Sequence, residues 1–346
     1  MKILFVGSGE IGLPALRRLA DRVVLVVTAP DKPAGRGLKT RATPVKELAL
    51  SLNLPVLTTP DINQTDFIRQ INQCPPDIIL VAAFGQMIKR GILEIPGKNI
   101  LNIHPSLLPK YRGAAPIERA LLNRETETGV TVIRITERMD AGPILIQEKL
   151  PILPEDDAVT LTDRLAEPCA DLTVKGIAQI EKGIAFFVDQ KEADATYAPK
   201  IKKEEGKIDW GKDANEISAK VRAFVQWPHA YTFLPDSPAP VIIWQAVVSP
   251  SEESRGSIHR ARGSDKSDPY IFLPLDAGPL PVESGEGGGK VGGITPGTVL
   301  KADKTGILVA CGGETALLIT QLQPAGKRKM TAGEFLCGHR PSHFLT

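Results

Sequence analysis

Ile3-Leu4-Phe5-Val6-Gly7-Ser8-Gly9-Glu10-Ile11-Gly12-Leu13-Pro14-Ala15-Leu16 stands two residues into the chain. Four apolar residues closed by glycine have the length and composition of a strand buried on both faces, as in a parallel sheet. Leu13, Ala15, Leu16 and Leu19 then recur at helical spacing. A strand turning tightly into a helix is the opening unit of a doubly wound α/β sheet. Gly7, Gly9 and Gly12 spell G-x-G-x-x-G, the dinucleotide fingerprint in its expected context. After a second strand, Val23 to Thr28, Asp31 could meet a ribose. Pro30, Pro33 and the basic run Gly35-Arg36-Gly37-Leu38-Lys39-Thr40-Arg41 make a flexible loop there instead of a clean ribose site. A second reading of the glycines stands beside the first: they relieve steric crowding where strand becomes helix.

Outward from this unit the pattern continues. Thr43-Pro44 caps and opens a helix through about Ser51. Leu54 to Leu57 reads as a strand, Asp61 to Gln73 as a helix, and Ile78 to Ala83 as a buried strand ending at Phe84-Gly85. Strand and helix alternate through Arg134, and Ala158 to Lys182 is one further helix with an irregularity expected at Pro168. The expected fold is α/β: a doubly wound, mainly parallel Rossmann-like sheet over 1–190. The polar run Lys200 to Gly206 suggests a linker, placed at 191–206. Asn215 to Phe224 has helical spacing and Trp227-Pro228 stops it. Short runs at 231–234, 241–248, 297–300, 307–310 and 316–322, parted by Gly and Pro, favour a small OB-like β-barrel over 207–346. Residues 251–293, rich in Ser, Gly, Asp and Pro, read as a mobile insertion with one apolar island, Tyr270 to Leu273.

The chemistry gathers at Asn102-Ile103-His104-Pro105-Ser106-Leu107-Leu108-Pro109-Lys110-Tyr111-Arg112-Gly113. A strand places alternate residues on one face, so Asn102 and His104 share a side while Leu101 and Ile103 take the other. Pro105 ends the strand. An amide and an imidazole thus stand together where open α/β sheets bind ligands. Downstream, Arg138-Met139-Asp140-Ala141-Gly142-Pro143 puts a carboxylate on a tight loop. Turn chemistry alone explains such an aspartate; beside a histidine it could also orient the ring and stabilise its charged form. Spacing by itself does not prove that the two loops meet.

The chain has 346 residues, 42% hydrophobic and 24% charged, which suits a soluble protein of two domains. A net charge of +2 leaves any nucleic-acid binding to local patches. Two such patches are Arg36 to Arg41 and Lys327-Arg328-Lys329; on different domains they fit an anionic polymer better than a solvated surface. Four scattered cysteines without C-x-x-C read as reduced thiols, with no metal site expected. The apolar start is too short for a signal peptide or membrane span, so a cytoplasmic location is expected.

Taken together, the run Asn102 to Pro116, the Met139-Asp140-Ala141-Gly142 turn and the Pro30-Asp31-Lys32-Pro33-Ala34-Gly35-Arg36-Gly37 loop resemble the methionyl-tRNA formyltransferase family. Thr196 to Ile201, Lys207-Ile208-Asp209-Trp210, Val221 to Phe224 with Trp227-Pro228, and Leu322 to Lys327 agree. The resemblance covers nearly the whole chain except 251–293. It implies that Asn102, His104 and Asp140 are catalytic, and that Ser106, Leu107, Leu108 and Pro109 contact the co-substrate 10-formyltetrahydrofolate, with Phe84 and Gly85 near its pteridine. It implies that the Arg36 loop, with Lys39 and Arg41, engages the acceptor end of initiator methionyl-tRNA, and that the barrel with Lys327, Arg328 and Lys329 binds the stem. No NAD is implied by this family, and a monomer is expected. His104-Pro105-Ser106-Leu107-Leu108-Pro109 is also similar to glycinamide ribonucleotide formyltransferase, which keeps that acceptor as an alternative. In either case Asn102 and the His104 ring are expected to donate to the oxyanion formed when an amine attacks the formyl carbon, with Asp140 orienting the ring.

Overall fold

This computed structural model describes residues 1–34, 39–73, 75–95, 99–249 and 294–345. The chain forms two compact units, Met1–Lys200 and Ile201–Thr346.

The first unit is built on β1 (Ile3–Gly7), β2 (Val23–Thr28), a ribbon of β3 (Lys32–Ala34) and β4 (Lys39–Arg41), then β5 (Val56–Thr58), β6 (Ile78–Ala82), β7 (Asn99–His104), the short β8 (Arg112–Gly113), β9 (Glu127–Arg134) and β10 (Ile144–Pro151). The main sheet runs β10-β9-β7-β6-β1-β2-β5. From β7 through β5 its strands pair in parallel, while β9 and β10 are antiparallel. Every residue of β1 and β6 is buried, as strands covered on both faces must be. On one face Leu4, Val6, Ile79, Val81 and Ile100 pack against Phe67 and Ile71 of α3 (Thr65–Gln73). Asn102 and His104 continue the Ile100 row, so the apolar face ends in polar groups at the strand terminus.

α1 (Leu13–Arg18) and α2 (Pro44–Ser51) follow β1 and the ribbon, and Thr43 caps α2 by accepting from the Lys46 amide. The helix expected from Asp61 starts only at Thr65, because Asp61 Oδ1 accepts both the Asn63 amide and its side chain in a local turn. α4 (Arg90–Leu93) and α5 (Pro116–Leu122) are short. α6 (Ala158–Glu181) is continuous through Pro168 and packs on α1, β9 and β10. The stretch 191–206, expected as a linker, is divided between the units. Tyr197–Ala198, β11, pairs with β8, and the boundary follows Lys200.

The second unit contains α7 (Ala214–Ala223) and an antiparallel sheet of β12 (Ala230–Leu234), β13 (Ser237–Val248), β14 (Val299–Asp303), β15 (Gly306–Cys311) and β16 (Thr315–Pro324), with β17 (Met330–Thr331) beside β16. The order is β12-β13-β16-β15-β14. Residues 342–345 join its two edges: the Val299 amide donates to Ser342 O, and the Leu345 amide to Phe233 O. The sheet thereby closes into a barrel, which removes its free edges. Its interior is filled by Trp210, Ile217, Val309, Leu317, Phe335 and Phe344, all buried. The Trp210 indole is satisfied by Thr232 Oγ1 at 3.0 Å. The expected insertion, 251–293, lies outside the described residues, between β13 and β14.

Candidate active site

β7 carries Asn102 and His104 to the carboxyl edge of the sheet, and β9 on one side and β6 on the other fix their height. The loop after β9 and the segment Tyr111–Gly113 then meet them. Asn102 Nδ2 donates to Asp140 Oδ1 at 3.2 Å. His104 Nδ1 lies 3.6 Å from Asp140 Oδ2. The Gly113 amide donates to Asp140 Oδ2 at 2.8 Å. Asn102 and Asp140, 38 residues apart in the chain, are thus brought together with His104. Asp140 itself has φ +48, a left-handed conformation that Asp tolerates better than most residues. The turn it starts ends at Gly142, where a Cβ would fall 1.7 Å from Arg134 O, so only glycine lets the loop lie this close to β9.

The direction of the His104 ring is set by the backbone. His104 is buried, and its Nε2 is 2.9 Å from the carbonyl of Tyr111. A carbonyl only accepts, so Nε2 carries the hydrogen and Nδ1 is the nitrogen that can exchange a proton. Nε2 is thereby engaged with the protein and not left to donate to an oxyanion. Asn102 keeps that possibility, since its Nδ2 has a second N–H beyond the one given to Asp140.

The loop after β7 is fastened from within. Ser106 is fully buried, its hydroxyl donating to Lys110 O, and its carbonyl accepting from Thr131 Oγ1 at 2.6 Å. The Leu108 amide donates to Thr131 Oγ1, and Gln147 Nε2 donates to Leu108 O and to Thr131 Oγ1. Leu108 is buried, while Leu107 and Pro109 keep partial exposure. Among the four residues expected at the folate, Leu107 and Pro109 therefore have side-chain surface to offer, and Ser106 and Leu108 hold the loop. Phe84 is buried in the core under α3. Gly85, with φ +78 and nothing within 4 Å of a Cβ, is open. Tyr111, also left-handed at φ +62, anchors its ring by donating to Glu125 and accepting from Asn123. Burial, reinforced by the Glu125 bond, pushes its hydroxyl up to about 12. Thr131, Gln147 and the backbone groups of Tyr111 and Gly113 were not singled out from sequence; only Tyr111 and Gly113 lie inside the quoted run.

The fingerprint glycines serve packing. A Cβ on Gly7 would meet Ala82 O at 2.7 Å and one on Gly12 the Ala82 Cβ at 2.7 Å. The amides of Ser8 and Gly9, which would cradle a pyrophosphate, donate to Ala83 O. Asp31 is held by Lys46 Nζ, 2.8 Å from both carboxylate oxygens.

Of the basic groups, Arg36 lies outside the described residues and Arg41 is exposed on β4. Lys39 is on β4, its backbone paired with Ala34. In the second unit Lys327, Arg328 and Lys329 are exposed after the Gly326 turn. Arg328 pairs with Glu334, and Lys329 Nζ stands 5.0 Å over the Trp244 ring. Among the described residues no group of three or more His, Cys, Asp or Glu could hold a metal, and no helix is long and apolar enough to cross a membrane.

Comparison with known proteins gives the family. The family described as formyl transferase matches residues 2–177, and the formyl transferase C-terminal domain matches 200–340. The chain is therefore a formyltransferase by class. A methionyl-tRNA formyltransferase of Trichlorobacter lovleyi is 38% identical over 98% of this chain and 94% of its own. One from Methylacidiphilum infernorum is 38% identical over 98% and 96%. The chain belongs to the methionyl-tRNA formyltransferase family. HypX from Aquifex aeolicus, solved with tetrahydrofolic acid, shares the fold, with a TM-score of 0.59 and 18% identity over all of this chain and 50% of that one.

Proposed function

We propose that this protein transfers the formyl group of 10-formyltetrahydrofolate to the amino group of methionine on initiator methionyl-tRNA. The observation that carries the reading is the meeting of Asn102, His104 and Asp140 at the end of β7, in a chain related over its whole length to enzymes of that name. The free N–H of Asn102 stabilises the oxygen that gains charge as the amine attacks the formyl carbon. His104, held at Nε2 by Tyr111 O, takes or gives a proton at Nδ1, with Asp140 2.8 Å from the Gly113 amide as its fixed carboxylate neighbour. The partly exposed Leu107 and Pro109 offer an apolar surface suited to a pteridine ring, and Ser106 and Leu108 keep that surface in place. The engagement of the Ser8 and Gly9 amides within the protein supports a reading without NAD.

Arg36, Lys39 and Arg41 are proposed to meet the acceptor end, and Lys327, Arg328 and Lys329 the stem, through phosphates. The protein is proposed to act as a cytoplasmic monomer, without a metal. Glycinamide ribonucleotide as acceptor is not favoured, because the full-length relatives carry the tRNA enzyme's name. Incubation with labelled 10-formyltetrahydrofolate and either charged initiator tRNA or glycinamide ribonucleotide decides the matter. Label is expected on the tRNA; label on the ribonucleotide alone overturns the assignment.

A further inference from the structure

Asp140 is the only one of the three polar residues that lies on a loop, and its backbone there is left-handed; besides the bonds from β7 and β9, the turn has a second support. That support comes from Gln190, 50 residues further on. Gln190 Nε2 donates to Asp140 O at 2.8 Å and to Gly142 O at 2.7 Å, bracketing the turn. The amide cannot sit the other way round. Arg112 Nε and Nη2, 3.1 and 2.9 Å away, both donate to the opposite end of the Gln190 amide, which must therefore be its oxygen. Arg112 is in turn almost fully buried, paired through Nη1 with Glu192 Oε2 at 2.9 Å. It is also the residue before Gly113, whose amide holds the Asp140 carboxylate.

We infer that Gln190 is a positioning residue for the reaction: it clamps the Asp140–Gly142 turn so that the carboxylate faces Asn102, His104 and the Gly113 amide, and Arg112 sets the direction of the clamp. In this role Gln190 acts through the Asp140–Gly142 turn, to which both of its amide donor bonds go. The inference rests on the formyl-transfer reading for its kinetic consequence, but its geometric consequence stands without it.

Gln190→Glu and Gln190→Leu separate the clamp from ordinary packing. Glutamate is nearly isosteric and pairs with Arg112, so a role confined to satisfying Arg112 is preserved. It presents oxygen to two carbonyls, however, so the clamp is lost. Both variants are expected to lower kcat about tenfold or more, with KM for methionyl-tRNA and for the formyl donor changed less than about threefold. Hydrogen exchange of the Gly113 amide, read by NMR on uniformly nitrogen-15-labelled protein without substrate, is expected to speed up about tenfold in both, while the buried β1 and β6 amides stay protected. A Gln190→Glu enzyme with wild-type kcat overturns the inference, as does unchanged Gly113 exchange in either variant. Should Gln190→Leu fail to fold, Gln190→Glu carries both measurements. If the wild-type protein does not formylate methionyl-tRNA, the functional reading fails while the exchange result still decides the clamp.

Discussion

Asn102 and His104 share one strand face but are held differently. Asn102 is the side chain with a hydrogen left to give, and His104 is fixed at one nitrogen by Tyr111 O and faces Asp140 with the other. Asn102→Ala is expected to lower kcat by about 10²–10³, the usual loss for one oxyanion donor. His104→Ala is expected to lower it by about 10²–10⁴, the range for a general acid–base group. Neither should weaken tRNA affinity, measured by filter binding; near-normal turnover would remove that residue from the reaction. The pair was legible in the sequence because strand periodicity and polar identity coincide at 102 and 104. The direction of the imidazole was not, since it depends on the Tyr111 carbonyl, and every residue has a carbonyl. Gln190 was illegible for a related reason: a glutamine 50 residues from its target carries no local signal.

At the scale of elements, a helix cap and a turn carboxylate make separable predictions. α6 begins with a capping box in which Asp157 Oδ1 accepts the amides of Val159 and Thr160, both at 2.9 Å, and Thr160 returns a bond to the Asp157 amide. Because this helix covers α1, β9 and β10, its first turn is part of the first unit's stability. Asp157→Ala should cost about 1 kcal/mol in equilibrium unfolding of that unit, with kcat unchanged. In the β14–β15 turn, burial alone would raise the Asp303 carboxyl, but bonds from Thr305 and Lys301 outweigh it and hold the group down at about 2. A depressed folded value means that the charged form contributes stability above the ordinary 3.8 and loses it as pH falls toward 2. Asp303→Asn should therefore lower the urea midpoint at pH 7, with the gap to wild type narrowing below about pH 4. A gap independent of pH would show that the charge contributes nothing. The sequence indicated most of these strands and helices to within a few residues. It did not indicate that 197–198 pairs with β8, because a two-residue pairing is too short to show any periodicity.

For the molecule as a whole, the proposed function assigns chemistry to the first unit and the holding of a large anion to the second. Replacing Lys327, Arg328 and Lys329 together by Gln should weaken tRNA binding. The log–log salt slope should flatten by up to roughly 0.7–0.9 for each phosphate that is no longer neutralised. kcat at saturating tRNA should change little, as expected of groups that position substrate. An unchanged salt slope would remove this segment from the tRNA surface. Arg328 already pairs with Glu334, and Lys329 stands over Trp244, so the flattening should fall short of that for three free cations. The two-unit plan was legible from the change of pattern after residue 200. The closure of the barrel by residues 342–345 was not, because so short a segment shows no periodicity.

The backbone bonds around Asp140 have a consequence for mutational scanning. The groups that aim His104 and the Asp140 carboxylate are the carbonyl of Tyr111 and the amide of Gly113, and those that hold the turn are the carbonyls of Asp140 and Gly142. No side-chain library removes any of the four. Tyr111→Phe would score as a mild loss of stability, from its bonds to Glu125 and Asn123, and would leave the bond to His104 untouched. A substitution map of this site would therefore record only a mild effect of Tyr111→Phe, although the proposed reaction uses the Tyr111 carbonyl. Only a change to the chain itself, such as an ester in place of the peptide bond between Tyr111 and Arg112, would expose that dependence.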